Sequence, residues 1–162
     1  MGFELDATRG VNTHYGPRTT DGKYGGVLNS NGLVKKAVWV VDHADLPAGG
    51  SASNMEMSIP ANSTIVSAKM YVDEAWTSTS TTTDLDVGLE TSAGVAIDAN
   101  GLVTATEADQ AAIAVLNSEI TGAGALVGLS IGAAAGELVV APSVDDLLTG
   151  KARIVVEYVV AV

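Results

Sequence analysis

A chain of 162 residues, 47% of them hydrophobic, is long enough for one self-sufficient core, since a domain of ~150 residues buries about 68–70% of its unfolded surface. It contains no cysteine, which excludes a disulfide framework, a thiolate metal site and a cysteine nucleophile. Nineteen acidic against eight basic residues leave a net charge of −11, which argues against a phosphate-tracking surface and so against a nucleic-acid partner.

Residues 1–36 differ chemically from everything after them. They are rich in Gly, Asn and Thr, show no sustained apolar period, and hold Arg9, Arg18, Lys23, Lys35 and Lys36, five of the eight basic residues. Against Glu4, Asp6 and Asp21 this leaves +2, while the remainder of the chain carries −13. A segment that cannot bury enough apolar surface to offset its own ordering entropy is expected to order against a partner. It reads as an extended amino-terminal assembly arm. Phe3, Tyr15 and Tyr24 would be its apolar anchors, and Arg9, Arg18, Lys23, Lys35 and Lys36 its charged contacts. The start, Met-Gly-Phe-Glu-Leu-Asp, lacks the basic and apolar regions of a signal peptide, and no apolar run approaches the ~20 residues of a membrane span. The expectation is a protein made and kept in the cytoplasm, or in whatever assembles there, with no membrane partner.

Residues 37–162 read as the body, an antiparallel β-sandwich. Lys36 to Val41 is a short, continuously apolar strand of the kind covered on both sides. Met55, Met57 and Ile59 alternate with Glu56 and Ser58, and Pro60, Asn62 and Ser63 then form a corner. From Thr64 to Trp76, Val66, Ala68, Met70, Val72 and Trp76 share one face and Ser67, Lys69, Tyr71 and Asp73 the other, broken only by Glu74. The Ser-Thr run from Thr77 to Thr83 reads as an exposed loop. Leu85, Val87 and Leu89 alternate with Asp84, Asp86 and Gly88. Between short apolar stretches, Asp98-Ala99-Asn100-Gly101 carries the Asn-Gly pair favoured at the centre of a two-residue hairpin. Thr106 to Asn117 predicts one short helix with Thr106 as N-cap and Ala108, Ala111, Ala112 and Val115 on a shared face. The small residues of Gly122 to Gly136 permit close backbone approach, within the sheet or between subunits. Glu137 to Ala141 is another continuously apolar strand. At the end Ala152, Ile154, Val156, Tyr158 and Val160 face one way, and Lys151, Arg153 and Glu157 the other. Short strands, one helix and many Gly turns point to a sandwich or jelly roll.

The chemical motifs are weak. Gly128-Leu129-Ser130-Ile131-Gly132 matches a nucleophile elbow, yet that chemistry needs a strand–turn–helix setting, and both histidines, His14 and His43, lie upstream. Asp42-His43-Ala44-Asp45 sets a histidine between carboxylates without a third ligand, and reads as a solvated loop. Asp84 and Asp86 share a strand face and are candidates for a Ca²⁺ site, their plain reading being an outward polar face. Asp98, Asn100 and Gly101 match part of a Ca²⁺ loop but lack its terminal Glu. Asn62-Ser63-Thr64 is formally a glycosylation acceptor and otherwise a turn. Trp39 and Trp76 lie in apolar strand patterns, so core packing is expected of them rather than sugar stacking. No set assembles into an active site; neither catalysis nor a cofactor is expected.

Three segments carry a family resemblance: Met57-Ser58-Ile59-Pro60-Ala61-Asn62-Ser63-Thr64-Ile65-Val66, Asp84-Leu85-Asp86-Val87-Gly88-Leu89, and the closing Gly150 to Val160. In these the chain resembles the small β-sandwich head-decoration or cement proteins of tailed bacteriophages, over most of residues 38–160. The resemblance implies a jelly-roll-like subunit, commonly a homotrimer. It would bind the major capsid protein on the outer capsid surface and stabilise contacts between capsomers. It implies no catalytic residues, and it does not extend to the arm. A capsid-surface virion protein made in the host cytoplasm is the leading expectation. The alternative is a carbohydrate- or receptor-binding sandwich of a phage tail or fibre, which calls for exposed aromatics on one edge. A hydrolase using Ser130 is the third.

Overall fold

The computed structural model describes residues 12–13, 28–31, 34–46, 53–80, 83–143 and 147–160. They form two antiparallel sheets packed face to face. The larger has six strands: β1 (Asn12–Thr13), β2 (Leu28–Asn31), β3 (Val34–Asp42), β10 (Leu147–Val160), β5 (Ser63–Ser78) and β8 (Glu119–Gly122), in that spatial order. The smaller runs β4 (Ser53–Ile59), β9 (Gly136–Pro142), β6 (Leu85–Glu90) and β7 (Ala96–Val103). From β3 onward the chain crosses between sheets at every connection except β6 to β7. This is the expected β-sandwich, although two of its strands, β5 and β10, are long rather than short.

The inner faces make one core. Trp39, Val41, Met70, Val72, Trp76, Ile154, Val156 and Tyr158 come from the larger sheet and Ile59, Leu85, Val87, Leu89, Leu138 and Val140 from the smaller. Burying each such side chain contributes about 1.5–3 kcal/mol against a chain that would otherwise remain unfolded. The corner between β4 and β5 forms as expected. Asn62 adopts φ 59, a left-handed conformation Asn tolerates, and Ser63 donates through Oγ to the Pro60 carbonyl at 2.6 Å.

Several elements depart from the sequence reading. In β5, Ile65 pairs with Tyr158 and Ser67 with Glu157, so Val66 is an extra residue, a β-bulge. The bulge reverses the alternation: Ile65 is fully buried and Val66 is 47% exposed, not on the inner row. A second bulge at Asp73 moves Glu74 to the outer face opposite Lys151, which explains the break in the row. β3 is covered on one side only, with Val40 exposed on the other. Of the expected Ser-Thr loop, Thr77 and Ser78 end β5, and Thr83 is buried, donating to Ser78 Oγ at 2.7 Å.

Asp98-Ala99-Asn100-Gly101 is not a hairpin. These residues lie within β7, where Leu89 pairs with Asp98 but Val87 with Val103, so the segment between them arches over β6. The arch needs a glycine beneath it: a Cβ on Gly88 would lie 2.0 Å from the Asp98 carbonyl oxygen. The predicted helix shrinks to α1 (Gln110–Ile113), capped by Asp109 rather than Thr106. Carboxylates compete for the backbone ahead of it. Glu107 accepts from Thr104 N at 2.9 Å and Ala123 N at 2.8 Å, Asp86 from Ala105 N at 2.8 Å, and Asp84 from Gln110 N at 3.3 Å. Val115, expected on the buried face, is 55% exposed.

The bulge assignment is tested by two substitutions. Ile65→Ala should cost about 2–4 kcal/mol and Val66→Ala under about 1 kcal/mol, read from urea midpoints at constant slope. A larger cost at Val66 would put Val66, not Ile65, in the core.

Candidate interaction face

Among the described residues, every Lys and Arg except Lys35 lies on the outer face of the six-stranded sheet. That face is set by the antiparallel register of β3, β10, β5 and β8. Lys36 stands opposite Glu157 and Ser67; Val38 opposite Val155 and Lys69; Val40 opposite Arg153, Tyr71 and Glu119; Asp42 opposite Lys151 and Glu74. These rows, with Asp73 at the bulge, hold four cations, Lys36, Lys69, Lys151 and Arg153, against five carboxylates, Asp42, Asp73, Glu74, Glu119 and Glu157. The remaining eleven of the sixteen acids in residues 37–162 have no Lys or Arg of that span among them, since Lys69, Lys151 and Arg153 are its whole complement.

The charges on this face are ordered. Arg153 grips Asp73 with two bonds, Nε to Oδ2 at 2.7 Å and its terminal NH2 to Oδ1 at 2.9 Å, and lies 5.6 Å from the centroid of the Tyr71 ring. The Asp73 carboxylate beside it holds the Arg153 guanidinium still more firmly in its charged form. Lys69 donates to Glu119 across the β5–β8 pair. That bond, with a second from Tyr71, lowers the Glu119 carboxyl below its usual range and raises Lys69 in turn. Ser67 Oγ donates to Glu157 at 3.1 Å. Exposed pairs of this kind contribute little stability each, so their main effect is to fix the pattern of charge.

The Asp42–Asp45 segment closes one end of the face. It is a 3-10 turn rather than an open loop: Asp42 Oδ1 accepts from Ala44 N at 3.1 Å, and Asp45 accepts from Asp42 N. His43 Nδ1 is 3.0 Å and Lys151 Nζ 3.7 Å from the Asp42 carboxylate. The Ala44 N–H, then His43 and Lys151, hold the Asp42 carboxyl below its ordinary value.

Of the expected partner-binding residues, Phe3, Arg9, Tyr15, Arg18, Lys23 and Tyr24 lie outside the described residues. Lys35 and Lys36 belong to β3, so the boundary drawn at residue 36 falls inside a strand of the body's sheet. Lys36 is exposed on the outer face, and Lys35 is half-buried opposite Tyr158. Lys69, Tyr71, Asp73, Lys151 and Arg153 were separated by alternation from the core row, but their pairing was not legible, and nothing in the sequence connected Glu119 to them.

The remaining motifs resolve into backbone geometry. Ser130 lies in an extended run whose neighbours pair with the start of β5, Ile131 N donating to Ser63 O at 2.9 Å and Ile65 N to Leu129 O at 3.0 Å. No helix follows it, so the strand–turn–helix of a nucleophile elbow is not formed. The small residues nearby serve the fold's own close approaches, since a Cβ on Gly122 would meet Leu102 O at 2.1 Å. One oxygen each of Asp84 and Asp86 is committed to the backbone N–H groups noted above. Among the described residues, no three of His, Asp and Glu group as metal ligands, and no helix is long and apolar enough to cross a membrane. Trp39 and Trp76 are buried, at 3% and 1% exposure.

A folded-state pKa held below the unfolded value stabilises the fold above the ordinary carboxylate range, about pH 4, and that contribution is lost as pH falls through the folded pKa. Asp42→Asn keeps an acceptor for Ala44 N but cannot titrate. The variant should therefore lose less stability than the parent between about pH 5 and pH 2, measured as the shift in urea midpoint. An equal loss in both would mean that Asp42 contributes nothing to acid sensitivity.

No family model matches this chain, and no curated protein matches it. Among solved structures, one chain of the cyanophage Pam1 capsid asymmetric unit superposes with a TM-score of 0.55 at 17% identity, over 97% of this chain and 98% of that one. At that identity the likeness is one of fold, and it runs nearly end to end.

Proposed function

We propose that the chain is a non-enzymatic structural protein of a phage virion, a decoration or cement protein that binds the major capsid protein and stabilises contacts between capsomers. The observation that carries this reading is the fold shared, over nearly the full length of both chains, with a component of a phage capsid asymmetric unit. The sandwich also suits the role, because bulges and long shared strands make a rigid plate that can bridge neighbours without a deep pocket. Repetition over a symmetric shell would multiply weak contacts by avidity. Self-association as a trimer and placement on the outer surface of the capsid belong to the same proposal. The sugar-binding alternative loses its two best stacking candidates, since Trp39 and Trp76 are buried.

In this reading residues 1–27 act in attachment, with Phe3, Tyr15 and Tyr24 as anchors and Arg9, Arg18 and Lys23 guiding encounter. The first test is stoichiometry in purified particles: a copy number comparable with that of the shell subunit is expected, and a handful of copies would place the protein in a tail or fibre instead. The second is deletion of residues 1–27, which removes the two-residue edge strand β1 and spares β2. Cooperative unfolding of the body should persist while binding to particles weakens. Unchanged binding would remove the arm from the attachment mechanism. The third is replacement of Arg9, Arg18 and Lys23 by Gln, which should slow association more than it speeds dissociation. The effect should shrink as the Debye length falls from ~8 Å at physiological salt to ~3 Å at 1 M.

A further inference from the structure

The charge of this molecule is sorted by face. The outer face of the six-stranded sheet balances four cations against five carboxylates, whereas seven described acids, Asp84, Asp86, Glu90, Asp98, Glu107, Asp109 and Glu137, lie on or beside the four-stranded sheet and in the connection from β7 to β8, where the described residues include no Lys or Arg. A second copy carries the same sorting. If two bodies approach through their four-stranded sheets, uncompensated carboxylates meet uncompensated carboxylates. If they approach through this face, near-neutral surfaces meet, and the acids of the four-stranded sheet of each copy are held on the far sides. The face is also pre-ordered by its Arg153–Asp73 and Lys69–Glu119 pairs, so little side-chain entropy remains to be lost on contact. Its middle carries the half-buried Val38 beside Val155, which at 8% exposure is nearly covered, and Val40, 40% exposed, lies one row away.

Size agrees. The nine residues of β3 span about 30 Å and the four strands from β3 to β8 about 20 Å, a footprint that with its side chains approaches the ~800 Å² per partner of a standard interface.

We propose that this charge-balanced face docks a second copy of the chain, the two related by a two-fold axis. An isologous contact presents the same patch on both copies, so Val40 of each lies in or beside the apolar centre and the ion-paired residues surround it. The contact yields even-numbered species, dimers alone or hexamers where three-fold association also forms. It is independent of shell attachment, which is read separately by binding to particles.

The experiment is sedimentation or light scattering of the full chain over a micromolar series at low and high salt, with Val40→Glu on the face, Val40→Thr as its conservative counterpart, and Glu137→Gln on the other sheet. The parent should form even-numbered species that tighten as salt rises, because screening relieves repulsion between the acidic far sides. Val40→Glu places a carboxylate at the centre of both copies and should weaken association at least about tenfold. Val40→Thr and Glu137→Gln should keep it within about threefold. Thermal unfolding of each variant confirms that the fold is retained. A strictly monomeric or trimeric mass overturns the proposal, as does an even-numbered species indifferent to Val40→Glu. If the parent does not pair but Val40→Glu loses binding to particles, the face belongs to the shell protein and not to a second copy. If the parent pairs as described but no variant or parent binds particles, the two-fold contact stands and the capsid reading falls.

Discussion

Strand β10 is shared by both halves of the larger sheet, and the rest of the structure is arranged around that sharing. It pairs with β3 along one edge from Lys151 to Val159, and with β5 along the other from Leu147 to Val160. Every backbone group along its middle is therefore engaged on both sides, and its inner row of Ala152, Ile154, Val156 and Tyr158 lies at the centre of the core. Because β3 and β5 are brought together only by the last strand, the larger sheet cannot close until the whole chain is present. Such non-local pairing is slow to form and strongly cooperative once made. One glycine admits it: Gly150 adopts φ +140, and a Cβ there would sit 2.2 Å from Cδ2 of the Trp76 indole. The largest buried side chain of β5 thus packs directly on the backbone of β10.

Two kinds of irregularity then fit long strands to a compact sandwich. Bulges in β5 let a 16-residue strand bend and twist without exposing its apolar row, at the cost of moving Val66 and Glu74 outward. Carboxylates take over where regular pairing stops. Asp84, Asp86 and Glu107 accept backbone N–H groups of the connection between β7 and β8, which would otherwise be left unpaired near the core. An acidic composition therefore has a structural use here beyond solubility. Several of the carboxylates that look available for chemistry are spent on the backbone.

What remains available is a matter of face. The four-stranded sheet and the loops around it carry acid without base, so they repel surfaces of like charge. The six-stranded sheet presents fixed, alternating charge around a small apolar centre. The sorting of charge limits the ways in which the sandwich can be approached by an acidic surface.

Alternation alone was enough to assign the antiparallel sandwich, the β4–β5 corner, and the two faces of β10, because a period of two is a local property that burial on one side imposes directly. It also separated Lys69, Tyr71, Asp73 and Arg153 from the core row. It failed where tertiary contacts override local preference. Asn100-Gly101 has the chemistry of a hairpin but is held in an arch over Gly88, and in the Ala-rich stretch around Thr106 the backbone is taken up by carboxylates 19 and 26 residues away. Val66 matched the period and still fell outside, because a bulge is decided by the register against Tyr158, some 90 positions along the chain. The charge-paired face was invisible for the same reason: Arg153 meets Asp73, and Lys69 meets Glu119, only once β10, β5 and β8 lie side by side. Composition and periodicity determined what kind of layers this chain builds; which charges become neighbours was decided by strand order and register, which are properties of the assembled sheet.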